Sequence, residues 1–206
     1  WACSAPENHH PRYIFLFIGD GMGLAQTAAA ELYLNALKHD SDPSRTAREL
    51  AMTSFPVTGL MTTHSENDYI TDSAAAGTAI ASGTKAENGL FSPGKRGRLP
   101  EHFMKKGYRT AILTSVPVDH ATPAAFYCSS LSRRDYHTIA LEMMDSPVDI
   151  IAGASVLGNR PHSREGSPDL FQENHTRVRV SLSAKSVDWP AEKETRKLYP
   201  RCEYRS

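Results

Sequence analysis

Asp72-Ser73-Ala74-Ala75-Ala76-Gly77-Thr78-Ala79-Ile80-Ala81-Ser82-Gly83-Thr84-Lys85 sets one hydroxyl beside an acid where a run of small residues begins to read as a helix. Ser73 falls in the first turn, where free backbone N–H groups and the helix dipole favour negative charge, by roughly 0.3–1 kcal/mol at exposed sites and more when partly buried. A phosphorylated Ser73 is therefore stabilised. The Ala and Gly residues that follow leave no bulk around the hydroxyl and let the helix approach a neighbouring strand closely. The same residues also read as a capped, Ala-rich core helix, so the rest of the chain has to decide between a nucleophile and a cap.

Working outward, strand and helix patterns alternate. Tyr13 to Ile18 is a continuous apolar run ending in Gly19-Asp20-Gly21-Met22-Gly23, as expected of a buried strand followed by a tight loop. Leu24 to Leu37 reads as a helix, and Val57 to Thr62 as a second strand ahead of the Ser73 helix. Asn88-Gly89 and Pro93-Gly94 mark loops. Leu99 to Lys106 suits a helix, Arg109 to Thr114 a strand, Arg133 to Met144 a helix and Val148 to Ala152 another strand. This order predicts an α/β sandwich on a largely parallel sheet, with ligands collected at the carboxyl ends of the strands. Residues 1–12 read as an N-terminal extension, 13–171 as the α/β domain and 172–206 as a polar tail. In that tail no helical or strand period persists, and an irregular or disordered segment is expected.

The 206 residues are 40% hydrophobic with 23 basic and 23 acidic side chains, enough for one well-buried domain. The balanced charge offers no basic field of the kind that nucleic-acid binding requires. No apolar run approaches the roughly 18 residues of a spanning helix, so no transmembrane segment is expected. The three cysteines Cys3, Cys128 and Cys202 show no metal-type spacing. Ala2-Cys3-Ser4 resembles the end of a bacterial lipoprotein signal, which would allow a lipid anchor at Cys3.

Three further groups carry chemistry. The glycines around Asp20 lack the third glycine of a dinucleotide loop, which would fall near Gln26; the acid suits a cation, or else caps the helix that follows. Val118-Asp119-His120-Ala121-Thr122 places a carboxylate, an imidazole and a hydroxyl within a few residues, and oxygen ligands of this kind suit magnesium. Ser132-Arg133-Arg134 reads as a solvated helix start, or as a guanidinium able to bind two phosphate oxygens at once.

Ile18-Gly19-Asp20-Gly21-Met22-Gly23, Thr71-Asp72-Ser73-Ala74-Ala75-Ala76-Gly77-Thr78-Ala79 and His120-Ala121-Thr122-Pro123-Ala124 resemble, in order and spacing, the amino-terminal half of alkaline phosphatases. The resemblance covers Tyr13 to Ala152. It implies a three-layer α/β/α sandwich, two zinc ions and one magnesium, small phosphate monoester substrates, a homodimer in the complete enzyme and a periplasmic or extracellular location. Ser73 takes the place of the serine that becomes phosphoserine, and Asp20 that of an acid bridging a zinc and the magnesium. Thr122 matches a magnesium-ligand hydroxyl, and His120 a position near that metal. Arg133 lies at the spacing of the phosphate-binding arginine, with Arg134 beside it. Sulfatases of the same superfamily would want a cysteine at the nucleophile position and phosphodiesterases commonly a threonine; the Ser73 block favours a monoesterase.

The physical logic stands without the family. A serine hydroxyl needs a base or a metal to become an alkoxide, and no histidine lies close to Ser73 in sequence. Two metals about 3.5–4 Å apart can stabilise the attacking and leaving oxygens while an arginine neutralises the others. The resemblance also implies carboxyl-terminal zinc ligands, including an Asp followed four positions later by His. After Ala152 the aspartates are Asp169 and Asp188, and neither has that partner. The chain therefore reads as an amino-terminal portion of such an enzyme, either catalytic through Ser73 or a non-catalytic fragment.

Overall fold

The computed structural model describes residues 11–38, 49–159 and 170, and the backbone of 178–180 and 196–200. The chain divides into two compact units, residues 1–60 and 61–206.

In the first unit, α1 spans Leu24–Lys38, matching the expected helix. Its Glu31 carboxylate accepts the backbone N–H groups of Glu49 and Leu50 at 2.8 and 3.1 Å. It thereby satisfies the entry to a short 3-10 turn, Ala51–Ser54. Tyr13–Ile18 departs from expectation. The segment joins no ladder, and its side chains are between 37% and 84% exposed. Val57–Thr62 likewise forms no strand. Apolar β-branched and aromatic runs favour a pleated surface only where a partner strand satisfies their backbone, and no described strand pairs with either segment.

The second unit holds α2 (Ser73–Ser82), α3 (Leu99–Lys105), β1 (Ala111–Leu113), α4 (Ala121–Ala124), α5 (Tyr136–Asp145), β2 (Ile150–Gly153), β3 (Val178–Val180) and β4 (Arg196–Pro200). The four strands form one parallel sheet in the order β1-β2-β4-β3. Two strands therefore lie inside 172–206, which corrects the expectation of an irregular tail. Arg196-Lys197-Leu198-Tyr199-Pro200 has neither alternation nor an apolar run, yet as β4 it pairs on both sides, Ile150 with Lys197 and Val178 with Arg196. Sheet pairing in three dimensions outweighs local propensity here.

The core gathers between this sheet and its helices. Ile112 of β1 and Ile151 of β2 stand in register and are both buried. Ile139, Ala140, Met143 and Met144 form the buried stripe of α5 at helical spacing. That helix begins at Tyr136, later than Arg133, because the Asp135 carboxylate accepts the Thr138 N–H at 3.2 Å and caps it there. Ser132 to Arg134 instead form a turn in which the Arg134 N–H reaches the Ser132 hydroxyl at 3.2 Å.

Helix α2 packs on α4, so the close approach that its small residues permit is to a helix rather than to a strand. A Cβ at Gly77 would stand 2.8 Å from the Ala125 Cβ and 3.4 Å from the Thr122 carbonyl oxygen. Replacing Gly77 by Ala would gain about 1 kcal/mol of helix propensity, against about 1–3 kcal/mol for overpacking a closed contact. The clash wins if the backbones cannot part. Gly77→Ala is expected to lower stability by roughly 1 kcal/mol in urea unfolding, and a stabilised variant would show that the α2–α4 contact is loose.

Candidate active site

Ser73 is the first residue of α2, partly exposed at the helix mouth. Asp72 before it is the N-cap in extended conformation; its Oδ1 accepts the Ala75 N–H at 2.9 Å, and its carbonyl accepts that of Ala76 at 2.9 Å. The acid-then-hydroxyl pattern thus does cap a helix, and in doing so it sets the hydroxyl at the helix's electropositive end.

The second oxygen of Asp72 points elsewhere. Oδ2 accepts from Arg133 Nη1 at 2.8 Å, across 61 residues of sequence. Arg133 is also tied by its backbone, whose N–H donates to the Gly89 carbonyl at 2.8 Å. Its guanidinium is therefore fixed beside the first turn of α2, while Arg134 is exposed. Burial alone would raise the Asp72 pKa. The N–H of Ala75, the Arg133 hydrogen bond, the N–H of Gly89 and the Arg133 charge together hold the carboxyl below the usual carboxylate range.

Asn88 joins the same cluster and was legible in the sequence only as a loop marker. Its Oδ1 accepts the Asp72 N–H at 2.9 Å and its Nδ2 donates to the Ile70 carbonyl at 2.8 Å, so one amide brackets Thr71 and fixes the approach to Ser73. Gly89 next to it has φ +85°, a left-handed conformation that glycine adopts without strain.

Thr122 and His120 enter from α4. His120 is the N-cap residue of that helix, its ring stacked on Tyr136 with centroids 6.5 Å apart, and its Nδ1 is buried without a hydrogen-bond partner. The Thr122 backbone lies against Gly77 of α2, about one helical turn along from Ser73. Asp119, the carboxylate of the same block, is committed elsewhere: fully buried, its Oδ2 accepts the N–H groups of Leu157 and Gly158 at 2.8 and 2.7 Å. Burial pushes its pKa up despite these donors. Asp20 belongs to the first unit, in the turn ahead of α1, where Gly21 has φ +67°.

Cys128 is buried, and burial pushes its thiol up to about 12, far from a thiolate at neutral pH. Cys3 and Cys202 lie outside the described residues, as does the proposed anchor at Cys3. No helix among the described residues is long and apolar enough to cross a membrane.

The family model described as alkaline phosphatase matches residues 11–153. This chain belongs to the alkaline phosphatase family. It is 34% identical over 145 residues to alkaline phosphatase 4 of Bacillus subtilis, a match covering 66% of this chain and 30% of that enzyme. It resembles the structure of a cold-active alkaline phosphatase from a psychrophilic Shewanella at 32% identity and TM-score 0.58, covering 69% of this chain and 36% of that one. A variant of TAB5 alkaline phosphatase with Mg bound in a site called M3 shares the fold, with TM-score 0.67 at 21% identity, over 88% of this chain and 50% of that one. The fold is thus the three-layer α/β/α sandwich of alkaline phosphatases, and the chain spans half or less of the length of these relatives.

The depressed Asp72 pKa has a stability consequence. A carboxyl whose folded pKa lies below its unfolded value, about 3.9, contributes stability above that value and loses it as pH falls through the folded one. Asp72→Asn keeps a capping oxygen but not the charge on Arg133. Its stability is expected to be lower than wild type near neutral pH and to fall less steeply below pH about 4; parallel acid slopes in urea melts would deny the ion pair a role.

Proposed function

We propose that this chain carries the phosphoryl-accepting side of an alkaline phosphatase site, acting on small phosphate monoesters through Ser73. The observation that carries the reading is the Arg133–Asp72 hydrogen bond at 2.8 Å, which sets a guanidinium beside the residue preceding the nucleophile. In the first step Ser73 Oγ attacks phosphorus and gives its proton to solvent, the ester P–O bond breaks, and the alcohol leaves with a proton from solvent. Water then attacks the phosphoserine and gives a proton to solvent, the Ser73 Oγ–P bond breaks to free phosphate, and Oγ takes a proton back from solvent. Through both steps the Arg133 guanidinium binds the non-reacting oxygens, and the amino end of α2 favours their negative charge.

The donors that this chain would offer to zinc and magnesium are Asp20, Ser73, Thr122 and His120. Within the second unit, the orphaned Nδ1 of His120 and the hydroxyl of Thr122 suit part of a metal centre; Asp20 is counted among the donors through its family position alone. Among the described residues no three His, Cys, Asp or Glu side chains gather to complete one. Bound metal supplies the Lewis acidity that lowers the pKa of a serine hydroxyl or a water. A periplasmic or extracellular setting and a homodimer of the complete enzyme belong to the same reading.

Incubating the chain with labelled phosphate at mildly acidic pH, with zinc and magnesium present, is expected to give phosphoserine at Ser73, absent from Ser73→Ala. No label would count against the reading, and metal analysis separates a competent centre, holding about two equivalents of zinc, from a non-catalytic half-domain holding close to none. Arg133→Ala is expected to weaken binding of inorganic phosphate by roughly ten- to a hundredfold, the range for losing a charge-assisted contact.

A further inference from the structure

The turn that delivers Arg133 is held from behind by a second, buried guanidinium. Arg98 precedes α3, and its side chain is only 5% exposed. Nη1 donates to Glu101 Oε1 at 3.1 Å, and Nη2 donates both to the Cys128 carbonyl and to the Ser129 hydroxyl, the latter at 2.6 Å. The Ser129 N–H is in turn held by Glu142 of α5 at 2.6 Å. The chain then runs through Ser130, whose carbonyl accepts the Phe91 N–H at 3.3 Å and whose hydroxyl bonds the Ser132 carbonyl at 3.2 Å. Three residues later it reaches Arg133, fixed to Gly89 and Asp72.

Packing does not explain this arrangement. Cys128 at the start of the turn is buried in the core, but the turn's one large apolar side chain, Leu131, is 81% exposed, so past Cys128 hydrogen bonds rather than apolar burial hold the segment. A buried charge is also an expensive way to fill space: an apolar side chain of similar volume is often neutral or better for stability. Arg98 even leaves its Nε buried without a partner. What a planar guanidinium provides, and an apolar side chain does not, is several donors at fixed angles to a backbone carbonyl, a hydroxyl and a carboxylate together.

We propose that Arg98 is a positioning residue for Arg133: it fixes the Cys128–Ser129 end of the turn whose other end carries the phosphate-binding guanidinium. The inference rests on the role of Arg133 proposed above. Because Arg98 acts through the turn, its influence on phosphate depends on Arg133 being present.

Inorganic phosphate is titrated calorimetrically into the full chain and into Arg98→Lys and Ser129→Ala, each also combined with Arg133→Ala, with thermal midpoints recorded alongside. Arg98→Lys keeps the charge but loses the fork; Ser129→Ala removes one acceptor and leaves Arg98 itself in place, so it stands if Arg98→Lys fails to fold. Each is expected to weaken phosphate binding roughly three- to tenfold in the wild-type background and to add nothing in the Arg133→Ala background. Equal weakening in both backgrounds overturns the proposal, as does unchanged affinity in the two variants. If Arg133→Ala alone leaves phosphate affinity unchanged, the Arg133 reading falls and takes this one with it, a result visible in that single variant and distinct from the other two.

Discussion

The carboxylate of Asp72 has two oxygens, and each closes a different part of the second unit. Oδ1 satisfies an amide at the open end of α2, and Oδ2 fastens Arg133 to that same end. Without the first, the helix that presents Ser73 loses its cap; without the second, the turn at 128–134 loses the tie that Arg133 makes to α2. The partners make each other's work easier. Arg133 and the amides keep the carboxyl ionised at a site where burial opposes charge, and an ionised carboxyl is the form that both caps and pairs.

A second constraint works by volume. Gly77 lets α2 settle on α4, with the Thr122 backbone within van der Waals reach of a missing side chain. Just ahead of α4 in sequence, Asp119 accepts from the 157–158 backbone, and the Tyr127 hydroxyl donates to the Val118 carbonyl at 2.7 Å. The segment bearing His120 and Thr122 is thus held both by its packing on Gly77 and by hydrogen bonds at Val118 and Asp119. Support of this kind holds side chains in place more tightly than a loop does.

What could be read from the sequence follows the range of the interactions involved. The α2 helix, its cap and the family blocks were legible because a capping acid, a run of small residues and fixed spacings are local. So were α1, α3, β1 and β2, within about two or three residues of their observed ends. The start of α5 was misplaced because Asp135, not Ser132, caps it. The strands of the tail were illegible, since β4 opens on two charged residues and ends in proline, and is a strand by virtue of its neighbours β2 and β3. Tyr13 to Ile18 failed in the opposite sense: its composition is that of a strand, but a ladder is a property of two segments. The pairing of Asp72 with Arg133 and the burial of Arg98 join residues 61 and about 30 apart, and nothing in either segment announces the other.

Cys128 sits where Arg98 meets the turn, its carbonyl taken by that guanidinium and its sulfur accepting the Ser130 N–H at 3.3 Å. Burial pushes the thiol up to about 12, so in the closed turn it is held as the unreactive thiol. Once the turn opens, burial ends and the pKa falls back toward its ordinary value, which favours the thiolate. The native chain therefore contains its own chemical clock: the rate at which an alkylating reagent modifies Cys128 measures how often the segment carrying Arg133 lets go.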